Sequence, residues 1–264
     1  MSIAVEIEEI DRPAIMKTEY IIHADDFGHD SEVNACIDEC FARKWLTETS
    51  LMVNMPGCDD AVALASRRGY RQCVGLHLNL TEGFPLTKKI RQCSRFCSPE
   101  GEFNRRFHMS IPGRFVFSAK ETDAVAEEIE AQLLKFVSIG GMMMRIDSHH
   151  HSHTDWAVWR ILKPIAEKYR FESMRISADL HPVGFLRDLY KSFFNAAVRR
   201  SFKTYDHFDC VGASLSSGSD GMVEIMTHPK FRNGIICDTD IPFESQIEKV
   251  SQVCDSTIRR WSHV

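Results

Sequence analysis

The segment Tyr20-Ile21-Ile22-His23-Ala24-Asp25-Asp26-Phe27-Gly28 decides how the chain is read. Tyr20 to Ala24 is a short apolar run with the content of a strand, and it passes directly into a polar Asp-Asp turn. The same pattern returns downstream. Gln72 to Leu78 reads as a strand with His77 at its end, and Met142 to Asp147 as a strand that delivers Asp147-Ser148-His149-His150-His151-Ser152-His153. Gly221 to Met226 leads into Thr227-His228-Pro229. Reactive side chains therefore follow the strands at Asp25, His77, Asp147 and His228.

Helical patterns fill the intervals. Ser31 to Lys44 carries Val33, Ile37, Cys40 and Phe41 on one face, and Asp59 to Arg68 is a short alanine-rich helix after the strand Thr49 to Asn54. Thr122 to Ile139 reads as a helix capped by Thr122 and ended by Gly140-Gly141. Trp156 to Tyr169, Val183 to Ser201 with a basic outer face, and about Phe243 to Arg260 complete the helices. Ser173 to Ile176 and Asp209 to Gly212 are short strands. Strand–helix alternation implies parallel strands with helical crossovers, whose C-terminal ends share one face where active sites are built. The expected architecture is α/β: a single-domain closed or partly closed β/α barrel of six or seven strands. Residues 1–16 form an acidic leader, and 17–264 the domain. Residues 81–120, rich in Pro and Gly, form a loop insertion that reads as a lid or binding loop.

Composition narrows the function. The chain has 264 residues, 44% hydrophobic and 26% charged, with a net charge of −5. A nucleic-acid binder would carry a basic excess. No apolar run reaches membrane-span length, and the acidic leader is not a secretory signal. Nine cysteines without a CxxC pair read as free thiols of a reducing compartment, hence a cytoplasmic protein. The expected partner is a small-molecule substrate, with no nucleic acid and no membrane; a homodimer is admitted, although no interface is legible.

Four of the 12 histidines sit between residues 149 and 153. Imidazole is the commonest metal ligand, and such a cluster has little use in packing. His149, nearest the strand end, is the first choice as ligand. If the strand continued, alternation would send Asp147, His149 and His151 to one side. His151 and His153 would stand behind the ligands or face the substrate, and Asp147 would hold a histidine ring. Of two adjacent carboxylates, one can bind a metal while the other stays free beside the metal-bound water. An Asp-His-His set leaves coordination positions open and suits zinc, cobalt, nickel, manganese or iron. Phe84, Phe103, Phe107 and Phe115 could stack on a ring of the substrate or anchor the loop.

Together, Ala24-Asp25-Asp26-Phe27-Gly28, Gly75-Leu76-His77-Leu78, Asp147-Ser148-His149-His150-His151-Ser152-His153 and Thr227-His228-Pro229 resemble the YdjC-like carbohydrate deacetylase family, distantly similar to NodB-type polysaccharide deacetylases. The resemblance runs from about Tyr20 to Pro229. It implies a β/α barrel, a divalent metal (zinc or magnesium first, then cobalt, manganese or nickel) and hydrolysis of N-acetyl groups on amino sugars or chitooligosaccharides. It also implies Asp26, His77 and His149 as metal ligands, Asp25 as general base, His228 as general acid and Arg175 as the residue that orients Asp25. Lys230 stands where the family often has glycine, and the segment beyond Arg232 lacks a clear match. Alternatives are a metal-dependent phosphoesterase and a non-catalytic carbohydrate-binding relative.

Overall fold

A computed structural model describes residues 18–210, 221–252 and 257–258. The acidic leader lies outside them, as do the residues past Cys210 in the strand expected to reach Gly212. In chain order the elements are β1 (Thr18–Phe27), α1 (Ser31–Ala42), β2 (Glu48–Leu51), α2 (Cys58–Arg68), β3 (Val74–Leu78), α3 (Lys88–Arg91), α4 (Arg106–Met109), α5 (Ile111–Phe115), α6 (Ala119–Ile139), β4 (Arg145–Ser148) and α7 (Trp156–Lys168). There follow β5 (Ser173–Met174), α8 (Phe185–Arg199), β6 (His207–Cys210), β7 (Gly221–Thr227), β8 (Lys230–Arg232), β9 (Ile235–Asp238), β10 (Ile241–Pro242), α9 (Phe243–Gln252) and β11 (Thr257–Ile258).

The main sheet is parallel throughout, in the order β5-β4-β3-β2-β1-β7-β6, with β11 also paired to β1. It curls until its edges approach. Lys203, just before β6, donates to Glu172 beside β5 and accepts from Met174 within it. The result is a partly closed, irregular β/α barrel, as the strand–helix alternation implies.

Strand alternation gives the barrel two different surfaces. Outward residues such as Ile22, Ala24, Leu76, Ile146, Val223 and Ile225 pack in the apolar core with the helices. The inward side is ionic. His23, Glu48, Arg145, Asp147, Arg175 and Glu224 are all buried there. Arg175 Nε donates to Glu224 over 2.8 Å, Arg145 pairs with Glu224 and lies 3.7 Å from Glu48, and the Tyr205 hydroxyl donates to Glu48. Buried charges persist only when paired, and here each arginine faces two or more carboxylates.

Local signals explain several boundaries. Asp30 caps α1 by accepting from the backbone of Glu32 and Val33. The helix expected from Thr122 starts at Ala119, because Ser118 and Glu121 form a reciprocal capping box that extends it. The helix expected to reach Arg260 is described as far as Gln252, and Thr257 and Ile258, inside the expected span, pair with β1 instead. That pairing is open to them because the β1–β2 register begins only at His23. The 81–120 insertion holds α3, α4 and α5 and buries Phe96, Phe103 and Phe107. The loop thus has its own apolar anchor. The sequence reading also lacks the antiparallel β8-β9-β10 sheet that follows His228. Among the described residues, no helix is long and apolar enough to cross a membrane.

Breaking the ionic interior on one side should be costly. Arg145→Met leaves Glu48 without a guanidinium and Glu224 with Arg175 alone, and a loss of about 3–5 kcal/mol is expected in urea unfolding. A loss below about 1 kcal/mol would show that these carboxylates do not depend on Arg145.

Candidate metal centre and catalytic site

Two adjacent aspartates part ways at the end of β1. Asp25 continues the inward alternation of His23, whereas Asp26 has φ of 68°, in the left-handed region that aspartate tolerates better than most residues. The β1–β2 register shifts between Ala24 and Phe27, an irregularity that re-aims side chains. Gly28, with φ of 89°, completes the turn, and its amide is bound by Asn34 Oδ1 at 2.7 Å.

Asp25 is held by Arg175 through two parallel hydrogen bonds of 2.8 Å, so the structure brings together the two residues that the family resemblance pairs. Burial pushes its carboxyl up, but the Arg175 and His77 charges outweigh this and hold it below the usual carboxylate range. Arg175 also lies 2.9 Å from Asp147. Asp147 in turn fixes the His77 ring, Oδ1 to Nδ1 at 2.7 Å. His77 Nε2 is buried without a hydrogen-bond partner and stands 3.2 Å from Asp26 Oδ1.

The strand does not continue through the histidine cluster. It ends at Ser148, and His150 and His151 take φ of 52° and 54°, which turns the chain back in a 3-10 segment. The expected common side for Asp147, His149 and His151 is therefore replaced by a tight turn. His149 still reaches Asp26, Nδ1 to Oδ1 at 2.8 Å, and its Nε2 lies 2.8 Å from Glu82. His151 faces the cavity, edge-on to Phe208. His153 is turned inward, between the Ser148 hydroxyl at 2.5 Å and the Arg175 carbonyl at 3.1 Å. Burial pushes His151 down to about 4 and His153 to about 3, so both rings are neutral near pH 7.

Asp26, His77 and His149 each offer a donor atom, and these atoms lie within 4.8 Å of one another. The donor set fits a divalent cation. Its most buried nitrogen lacks a partner, and a carboxylate anchors the opposite nitrogen of the same ring, the usual support for a ligating histidine. Burial works against charge on His77, yet Asp147 and Asp25 lift it to about 10, so this pocket already attracts a positive charge. Two other acidic groupings, around His23 and around Asp25, are engaged by the buried arginines.

The cluster opens into a cavity of about 860 Å³ that Asp25, Asp26, His77, His149, His151 and His228 all line. Asp147, His153 and Arg175 stand behind its wall. The sequence reading missed Glu82, which bridges His149 and His29, and His108, whose Nδ1 is held at 2.6 Å by the buried Asp155. It also missed Arg105, which contacts His150. These residues come from turns and from the insertion, where no periodicity marks them. Of the four aromatics considered for stacking, Phe103 and Phe107 are buried, and none of the four lines this cavity.

The sequence profile of the family described as YdjC-like protein matches residues 19–261, well past Arg232, so the match extends through the segment that seemed to lack one. The chain is 29% identical over 239 residues to a carbohydrate deacetylase from Geobacillus stearothermophilus, covering 90% of each chain. It is 28% identical over 226 residues to one from Halalkalibacterium halodurans, covering 82% of this chain and 86% of that one. A crystal structure from Enterococcus faecalis, described as a cellobiose-phosphate cleavage protein, superposes with a TM-score of 0.63 over 90% of this chain and 87% of the other. At 22% identity that likeness speaks to the fold.

Metal content tests the cluster directly. After zinc loading and removal of excess, the wild type should keep about one ion per chain by mass spectrometry, and His77→Ala or His149→Ala should keep a tenth or less. Asp147→Asn should weaken affinity by about 10–100-fold in competition with a chelator. Unchanged content in both histidine variants would remove these residues as ligands.

Proposed function

Because the chain belongs to the YdjC-like family, we propose that it is a metal-dependent carbohydrate N-deacetylase, releasing acetate from N-acetylated amino sugars or chitooligosaccharides. The observation that carries this reading is that the Asp26-His77-His149 cluster opens into the same cavity as Asp25 and His228. The chemistry a bound divalent cation supplies there is Lewis acidity, which polarises the acetyl carbonyl and acidifies water near neutral pH. Zinc suits the donor set best, with magnesium, cobalt, manganese and nickel as the other candidates.

The chain's own groups do the rest. Asp25, kept ionised by Arg175, takes the proton of the attacking water. Arg175 fixes the plane of that carboxylate and leaves a lone pair on each oxygen for the proton. His228 gives a proton to the departing amine, which is otherwise a poor leaving group. Asp147 keeps the His77 ring in register, and His151, neutral beside Asp25, is available to a sugar hydroxyl. The wall at Glu82, His108 and Arg105 supplies further polar groups to a sugar.

A phosphoesterase would call for a second cation with more carboxylates. The neighbouring Glu82-His149-His150 group shares His149 with the first cluster, and Arg105 sits 3.2 Å from His150, a poor setting for another cation. Eight free cysteines among the described residues fit a reducing compartment, and we place the enzyme in the cytoplasm.

With N,N′-diacetylchitobiose the wild type should release acetate, and a chelator should abolish the release. Asp25→Asn should retain its metal and lose about 10²–10⁴-fold in kcat. His228→Ala should lose less on acetanilide-type substrates with better leaving groups than on the sugar. Full activity of Asp25→Asn, or chelator-resistant release, would overturn the assignment.

A further inference from the structure

The side of the molecule beside the cavity mouth carries apolar side chains that stand more than half exposed. Met109 and Ile111 are each 77% exposed, and Phe185 and Leu186 are 81% and 77% exposed. Leu189 and Phe193, also exposed, continue the α8 stripe one and two turns on, while Phe194 and Val198 bury the other side of the same helix. The two parts are joined through Phe115 of α5 and Tyr190 of α8, whose rings lie 5.5 Å apart. Met109 also lines the cavity, so the patch reaches the mouth.

Charge is segregated onto the same segments. Residues 103–120 carry four lysines and arginines and no acidic residue, and residues 181–203 carry five against Asp188 alone. Arg114, Arg199 and Lys203 are paired with Asp155, Asp179 and Glu172, which leaves Arg105, Arg106, Lys120, Arg187, Lys191 and Arg200 as the basic side chains of the patch. This is in a chain whose net charge is −5. Asp188 is itself occupied, accepting from the amides of Val183 and Gly184. An apolar stripe flanked by basic side chains is the arrangement that lies in a lipid headgroup layer.

We propose that this face docks on an anionic lipid bilayer. Such a surface offers negative charge and hydrocarbon within a few ångströms, which matches both halves of the patch. A second copy of this chain matches it poorly, because a two-fold contact would press like charges together. The proposal goes beyond the deacetylase reading and does not depend on it. It also revises the expectation, drawn from the lack of a membrane-spanning run, that no membrane is involved.

The test is flotation of the full chain with vesicles of phosphatidylcholine alone or with phosphatidylglycerol added. Binding is expected to the phosphatidylglycerol vesicles and should fall steeply as salt is raised. Phe185→Ser/Leu186→Ser and, separately, Arg106→Gln/Arg187→Gln should each lower the bound fraction about tenfold, and Leu134→Ser on α6 should leave it unchanged. Circular dichroism checks that each variant is folded. Failure of the folded wild type to float, or equal binding to phosphatidylcholine alone, would overturn the proposal. Self-association of the wild type that Phe185→Ser/Leu186→Ser abolishes, without vesicle binding, would overturn it in favour of a second copy.

Discussion

The guanidinium of Arg175 is the interaction on which the rest of the site depends. It is fully buried inside the barrel and is shared among Asp25, Asp147 and Glu224. A lone cation there would cost several kcal/mol in lost hydration, and so would each carboxylate without it. Paired, they hold one another in place. Its effect runs outward in two directions: both terminal nitrogens fix Asp25 against the cavity, and one of them, Nη2, also steadies Asp147, which fixes His77. The order of the site is thus inherited from a charge network that reaches down through Glu224 to Arg145 and Glu48.

Backbone conformation does the second part of the work. The left-handed turn at Asp26 separates two neighbouring carboxylates, one toward Arg175 and one toward His77 and His149. The two left-handed residues His150 and His151 fold the histidine cluster back, so that its members serve different ends. His149 meets Asp26, His151 faces the cavity, and His153 is locked behind it. Left-handed conformations are unfavourable for non-glycine residues and gather where function requires them.

The residues at the strand ends were legible because each broke an apolar run at its C-terminal side, as Asp25, His77, Asp147 and His228 do. The parallel sheet followed from the strand–helix alternation. The charged interior was not legible. His23, Glu48, Arg145 and Glu224 sit within strands, where a charged residue reads as solvent-facing unless the curl of the sheet is known. Glu82 sits in a bend and His108 in the four-residue α4, both too short to show a repeat. The start of α6 was misplaced because Thr122 and Ser118 both offer a cap, and only Ser118 has its partner, Glu121, three residues on. The turn at His150 and His151 defeats a period-2 extrapolation, since β-spacing holds only while the strand lasts.

The central claim is that Asp26, His77 and His149 form one cation site in the wall of a cavity that also holds a base. The most direct measurement is anomalous diffraction from crystals of the wild type soaked with zinc. The account predicts a strong peak bonded to one oxygen of Asp26 and one nitrogen each of His77 and His149, with Asp25 beside it and outside the coordination. A peak only at Glu82 and His150, or none among these side chains in well-soaked crystals, would contradict it.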